Sequence, residues 1–75
     1  MLQAVPGLRR ARERRGLSRE ELADRCGLHP IAVRRLEESG FRADDTVVAQ
    51  LAAALGVDPR QLTEQPAGPE AIGQP

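Results

Sequence analysis

An all-α domain of five short helices is the fold this sequence predicts, on three observations. Its apolar residues are mainly Leu, Val and Ala, with one aromatic, Phe41, a palette that packs helices better than sheets. Capping residues, early prolines and terminal glycines recur in the order that opens and closes helices. Between them the apolar residues fall three and four apart, the period of one helix face. Seventy-five residues hold one core of this kind, which excludes most enzyme architectures.

The elements follow in order. Residues 1–5 carry no helical pattern and read as a flexible N-terminal segment, so the folded domain is expected over 6–64. Pro6 suits a first helical position, Leu8 and Ala11 share a face, and Gly16 can end the helix, giving a first helix over about 6–15. Arg14 and Arg15 place positive charge at its C-terminus, where the helix dipole favours it. Ser18 to Glu21 reads S-x-x-E, a capping box, with Leu17 and Leu22 placed to staple across it. The second helix then runs to about Cys26, with Leu22, Ala23 and Cys26 inward and Gly27 as its stop. Only Leu28 separates that glycine from His29-Pro30, which can cap and open a third helix reaching about Glu38, so the two helices must meet at a sharp angle. Val33 and Leu36 face inward in the third helix, and Ser39-Gly40 ends it. Asp44 or Asp45 caps a fourth helix in which Val48, Leu51, Ala52 and Leu55 form a core stripe closed by Gly56. Asp58 to Gln61 supplies a D-x-x-Q capping box around Pro59, with Val57 and Leu62 as staple, for a fifth helix over about 58–64. From Gln65 onward three Pro and two Gly in eleven residues predict a flexible tail, or a linker to a further domain.

Charge is balanced overall but divided along the chain. Eleven basic and eleven acidic residues give a formal net charge of zero, so no global field draws the protein to nucleic acid or an anionic membrane. Residues 1–35 nevertheless carry nine Arg against four acids, and residues 36–75 two Arg against seven. Every basic side chain is Arg, the cation suited to bidentate contacts with phosphate and guanine, although nucleotide bias in the coding gene gives the same composition. The group Arg9, Arg10, Arg14 and Arg15 reads as a solvated helix face. One cysteine excludes an internal disulfide, and no apolar run approaches the roughly 20 residues of a membrane span or resembles a secretion signal, so a cytoplasmic location is expected. Cys26 and His29 lie three apart, but no second Cys or His completes a zinc site, and Cys26 reads as a structural thiol on an inward face. A single His without a cleft leaves nothing to orient a substrate, so neither catalysis nor a cofactor is expected. Phe41, in the loop after the third helix, can plug the core or serve a contact between subunits.

The spacing Leu17-Ser18, Glu21-Leu22-Ala23, Gly27-Leu28, Val33, Leu36-Glu37 describes two short helices joined by a glycine turn, a helix-turn-helix. On L-R-R-A-R-E-R-R-G-L-S-R-E-E-L-A-D-R-C-G-L at 8–28, V-R-R-L-E at 33–37 and L-A-A-A-L-G-V at 51–57, the chain resembles the Cro and phage-repressor (lambda-repressor-like) helix-turn-helix family over about residues 7–63. The resemblance implies a five-helix domain whose third helix enters the DNA major groove while the second lies across the backbone, commonly in a homodimer on a two-fold site. It also implies a sequence-specific transcriptional regulator, such as a repressor. By that resemblance Pro30, Ile31 and Arg35 match base-facing positions, Arg19 a phosphate-contacting position, and Arg12 with Glu37 a structural ion pair between the first and third helices.

Physical reasoning adds detail. The N-terminus of the second helix, at Ser18 and Arg19, offers unpaired N–H groups and positive charge to a phosphate. Arg35 can address O6 and N7 of a guanine, and Ile31, outward by its spacing from Val33 and Leu36, a thymine methyl. Arg34 and Arg42 are further phosphate candidates. The chain departs from the family in having His29, Pro30, Ile31 and Ala32 where Ser or Thr followed by polar residues is usual. Zero net charge, apolar Ile31 and acidic Asp44-Asp45 also admit a second function, a helix-turn-helix used for dimerisation or for binding a protein partner such as a toxin.

Overall fold

Four of the five helices begin where a side chain takes up free backbone N–H groups, and those caps set the register of the fold. The computed structural model describes residues 1–64. Its helices are α1 (Leu8–Arg14), α2 (Arg19–Cys26), α3 (Pro30–Glu38), α4 (Asp45–Leu55) and α5 (Pro59–Thr63). Ser18, His29, Asp44 and Asp58 each accept a hydrogen bond from a backbone N–H of the helix that follows. At α4 the choice between the two aspartates falls to Asp44, whose Oδ1 accepts from the Val47 N–H at 2.9 Å. The tail expected over 65–75 lies outside the described residues.

α1 starts two residues later than its proline suggested, for a packing reason. Gly7 forms its N-cap without a side-chain bond, and the Gly7 N–H donates to the Leu62 carbonyl of α5 at 2.9 Å. A β-carbon on Gly7 would overlap the Gln61 carbonyl, so α1 and α5 approach more closely there than any larger residue permits.

The N-terminal segment is a correction to the sequence reading. Instead of a flexible lead, Gln3–Ala4 forms a strand, β1, paired antiparallel with β2 (Arg42–Ala43) in the register Gln3 to Ala43 and Ala4 to Arg42. Gln3 Nε2 also donates to Asp45 Oδ1 at 2.8 Å, and Val5 is only 2% exposed. A two-residue strand is too short to show alternation in sequence, and its partner lies some forty residues away.

The core joins all five helices. Leu8, Leu22, Val33, Leu51, Leu55 and Leu62 are fully buried, one or two from each helix, and each such side chain contributes about 1.5–3 kcal/mol by leaving water. Ala11, Ala23, Ala43 and Ala52 fill the positions where helices or the β2 strand come close. Leu17 and Val57, the outer halves of the two predicted staples, pack partly buried against this core.

Arg15 is exposed, as expected of a solvated face, but its guanidinium also has a structural partner. Its Nε donates to the Leu55 carbonyl at 2.6 Å, where α4 ends with no basic residue in its own last turn. The guanidinium therefore serves an orphan C-terminal carbonyl from another helix. Arg9 also lies on the surface, pairing with Glu13 one turn on.

Candidate nucleic-acid interface

The angle between α2 and α3 is built from three short-range devices. At the start of α2, Ser18 Oγ accepts from the Glu21 N–H at 3.0 Å while Glu21 Oε1 accepts from the Ser18 N–H at 2.8 Å. That reciprocal bond holds the Glu21 carboxyl below its usual range. At the end of α2, Gly27 takes φ +68, which lets the Leu28 N–H return to the Ala23 carbonyl at 2.8 Å and the Gly27 N–H to the Asp24 carbonyl at 3.3 Å. The chain then restarts at once, because His29 Nδ1 accepts from the Ile31 N–H at 3.1 Å and Pro30 supplies a preset φ in the first turn.

α3 thereby acquires an inner and an outer side. Val33 and Leu36 are buried, whereas Ile31 is 51% exposed and Arg34, Arg35 and Glu38 lie on the surface. Pro30 is half-buried at the helix start. Arg42 is exposed on β2, beyond the C-terminal end of α3.

A chain of ion pairs locks α3 to its neighbours. Arg12 grips Glu37 with two bonds, Nε to Oε2 at 2.7 Å and Nη2 to Oε1 at 3.1 Å, and its Nη1 donates to the Leu17 carbonyl at 2.8 Å. The Glu37 side chain is fully buried, and its hydrogen bond keeps the Arg12 guanidinium even more firmly charged than usual. Arg19 reaches the same carboxylate at 3.0 Å and extends to Glu38 Oε2 at 2.7 Å. Glu38 also accepts from Arg34 Nε at 3.1 Å, one turn back on α3. Arg34 and then Arg19 hold the Glu38 carboxyl below the ordinary glutamate pKa range.

The residues singled out in sequence therefore stand in different states. Ser18 uses its hydroxyl oxygen as the α2 cap. Arg19, only 26% exposed in its side chain, is turned toward Glu37 and Glu38 rather than outward. Arg34 is exposed but paired. Arg35 forms no ion pair or guanidinium hydrogen bond among the described residues, and its guanidinium carbon lies 5.5 Å from the centroid of the Phe41 ring. Phe41 is 50% exposed, so it does not plug the core.

Two features escaped the sequence reading. The stacking of Phe41 on Arg35 follows no spacing rule, since the two residues flank a helix end. The double role of Glu38 was half visible, because Arg34 and Glu38 are four apart on one helix, but Arg19 comes from another element.

An open groove of about 660 Å³ runs beside this face, lined by Leu2, Leu28, Ile31, Phe41 and Val47, with Arg35 and Arg42 also contributing. Cys26 is half-buried, its Sγ 3.7 Å from the Gln50 carbonyl, and burial pushes its thiol toward the neutral form. Among the described residues no group of three or more His, Cys, Asp or Glu could hold a metal ion, and no helix is long and apolar enough to cross a membrane.

The capped α2, glycine turn and proline-led α3 define a helix-turn-helix protein. A family model described as helix-turn-helix matches residues 8–62, and the chain belongs to that family, of the Cro type. Among solved structures, the chain is similar to a hypothetical transcription factor, NHTF, from Neisseria, with 34% identity and a TM-score of 0.75 over 89% of this chain and 75% of that one. It is similar too to the restriction-modification controller protein C.AhdI from Aeromonas hydrophila, with 34% identity and a TM-score of 0.69 over 73% of this chain and 83% of that one. No curated protein matches significantly.

Proposed function

We propose that this protein is a sequence-specific, non-enzymatic DNA-binding transcriptional regulator that docks α3 in the major groove. The observation that carries the reading is the outer side of α3, where Ile31 and Arg35 stand exposed beside each other on a helix whose inner side is anchored by Val33, Leu36 and Glu37. An apolar side chain beside a guanidinium with free donors matches the edge of a thymine next to a guanine. Pro30 starts the same helix and approaches the bases with it. Ser18 and Arg19 at the α2 N-terminus, with Arg34 on α3 and Arg42 beyond its C-terminal end, are the phosphate contacts, and Arg19 and Arg34 must exchange Glu38 for phosphate when DNA arrives. Two copies related by a two-fold axis would place their α3 helices about 34–36 Å apart, one turn of the duplex.

Both neighbours with printed roles, a transcription factor and a controller protein, support a regulatory reading. A second reading, binding of a protein partner through the same face, draws support from the apolar groove and from the carboxylates that already occupy Arg19 and Arg34.

Titration of random duplex DNA separates the two. Binding through about four to six phosphates weakens by roughly 10²–10³-fold between about 50 and 200 mM salt. Absence of duplex binding at the lower salt concentration overturns the DNA reading in favour of the protein partner.

A further inference from the structure

We infer that Phe41 is a positioning residue that fixes the Arg35 guanidinium for reading a single guanine; the inference rests on the DNA-binding reading above. Four observations converge on this pair. Gly40 adopts φ +67, a backbone region open to glycine, and folds the chain back over the end of α3. The Phe41 N–H then donates to the Arg35 carbonyl at 3.3 Å, beside the Ser39 N–H that reaches the same oxygen at 3.0 Å. The Phe41 ring lies 5.5 Å from the Arg35 guanidinium carbon, so one loop residue engages both the main chain and the side chain of Arg35. Ring and guanidinium line one groove with Ile31, and the ring is half-exposed there.

The chemistry of this hold differs from that of the neighbouring arginines. Arg12, Arg19 and Arg34 are held by carboxylates, which occupy their N–H donors and offset their charge. An aromatic face attracts a guanidinium without accepting hydrogen bonds in its plane, so Arg35 keeps its charge and its donors. A long side chain that would otherwise sample many rotamers is thus restrained with its fork available, which is the requirement for a bidentate contact to O6 and N7 of guanine. The only aromatic residue of the chain sits where it orients the one arginine of α3 that no carboxylate engages among the described residues.

The test is selection of bound sites from a random duplex library with the full chain, followed by binding measurements on the selected duplex. The same duplex with the preferred guanine replaced by 7-deazaguanine, which lacks the N7 acceptor, serves as the probe. The parent is expected to prefer guanine at one position of each half-site. Phe41→Ala reduces that preference about two- to fivefold, the scale of one exposed cation–π contact, while random-duplex affinity and the thermal melt stay close to the parent. Phe41→Tyr retains the preference and Phe41→Leu loses it, because leucine keeps apolar bulk but has no π face. Guanine discrimination unchanged in Phe41→Ala, or retained in Phe41→Leu, overturns the inference. So does a loss of affinity on all duplexes alike, which marks a structural role, or selected sites without a guanine preference. Those outcomes leave the DNA reading intact, whereas a parent that binds no duplex overturns that reading and this inference with it.

Discussion

Glu37 is the residue on which the position of α3 most depends. Its fully buried carboxylate neutralises Arg12 and part of Arg19, and a buried charge pair broken from one side costs about 3–5 kcal/mol because the remaining charge is stranded. Glu37→Ala should therefore destabilise the fold on that scale in urea unfolding, whereas Arg19→Ala, which leaves Glu37 its bond to Arg12, should shift the midpoint much less. Glu38 works oppositely: it is exposed, and it occupies Arg19 and Arg34 that the DNA reading needs. Glu38→Gln should bind random duplex more tightly, because Arg19 and Arg34 then reach phosphate without first giving up a carboxylate; affinity equal to the parent would show that these arginines do not meet DNA. The acid limb follows from Glu38 and Glu21, both stronger acids in the fold than in the unfolded chain. Their contribution is present above the unfolded glutamate value, roughly pH 4.3, and is lost as pH falls through the lower folded values. Urea midpoints should drop over that interval, and less steeply in Glu21→Gln. At this scale the sequence is partly legible. Arg12 and Glu37 lie 25 positions apart, and only likeness to a family pairs them; no spacing pairs Arg35 with Phe41 or sends Arg15 to Leu55.

The elements were more legible than the contacts, because helix ends are written in local chemistry. S-x-x-E and D-x-x-Q each became a reciprocal capping box, and the glycine at 27 closes α2 with a left-handed turn. Ser18→Ala should cost about 1 kcal/mol by removing the α2 cap, and a chemical-denaturation midpoint indistinguishable from the parent would contradict that accounting. What locality could not supply is contact between distant segments. The β1–β2 pair and the approach of α1 to α5 both depend on residues far apart in the chain. Gly7 marks the second of these: its φ of −90 suits any residue, so only crowding by the Gln61 carbonyl excludes a side chain. Gly7→Ala should lower the melting temperature by several degrees through that clash, consistent with the 1–3 kcal/mol of overpacking in a small domain. A parent-like melt would mean that α5 can shift without loss.

Across the whole molecule, a neutral chain presents a face whose charges are largely paired internally, so affinity for DNA must come from a few arginines aimed in one direction rather than from a general positive field. The division of charge along the sequence was visible from composition, but its consequence was not, since the acidic half folds back through Glu37 and Glu38 onto the basic half. Ile31 is the most direct probe of the proposed docking face, because it is half-exposed, lies outside the buried core and sits at the start of α3. The decisive measurement is duplex binding by Ile31→Glu alongside its thermal melt. A carboxylate there faces the phosphates and base edges of the groove, so the account predicts binding weakened by well over tenfold with the melt within a few degrees of the parent. Duplex binding equal to the parent in a folded Ile31→Glu protein would contradict the docking of α3 in the major groove.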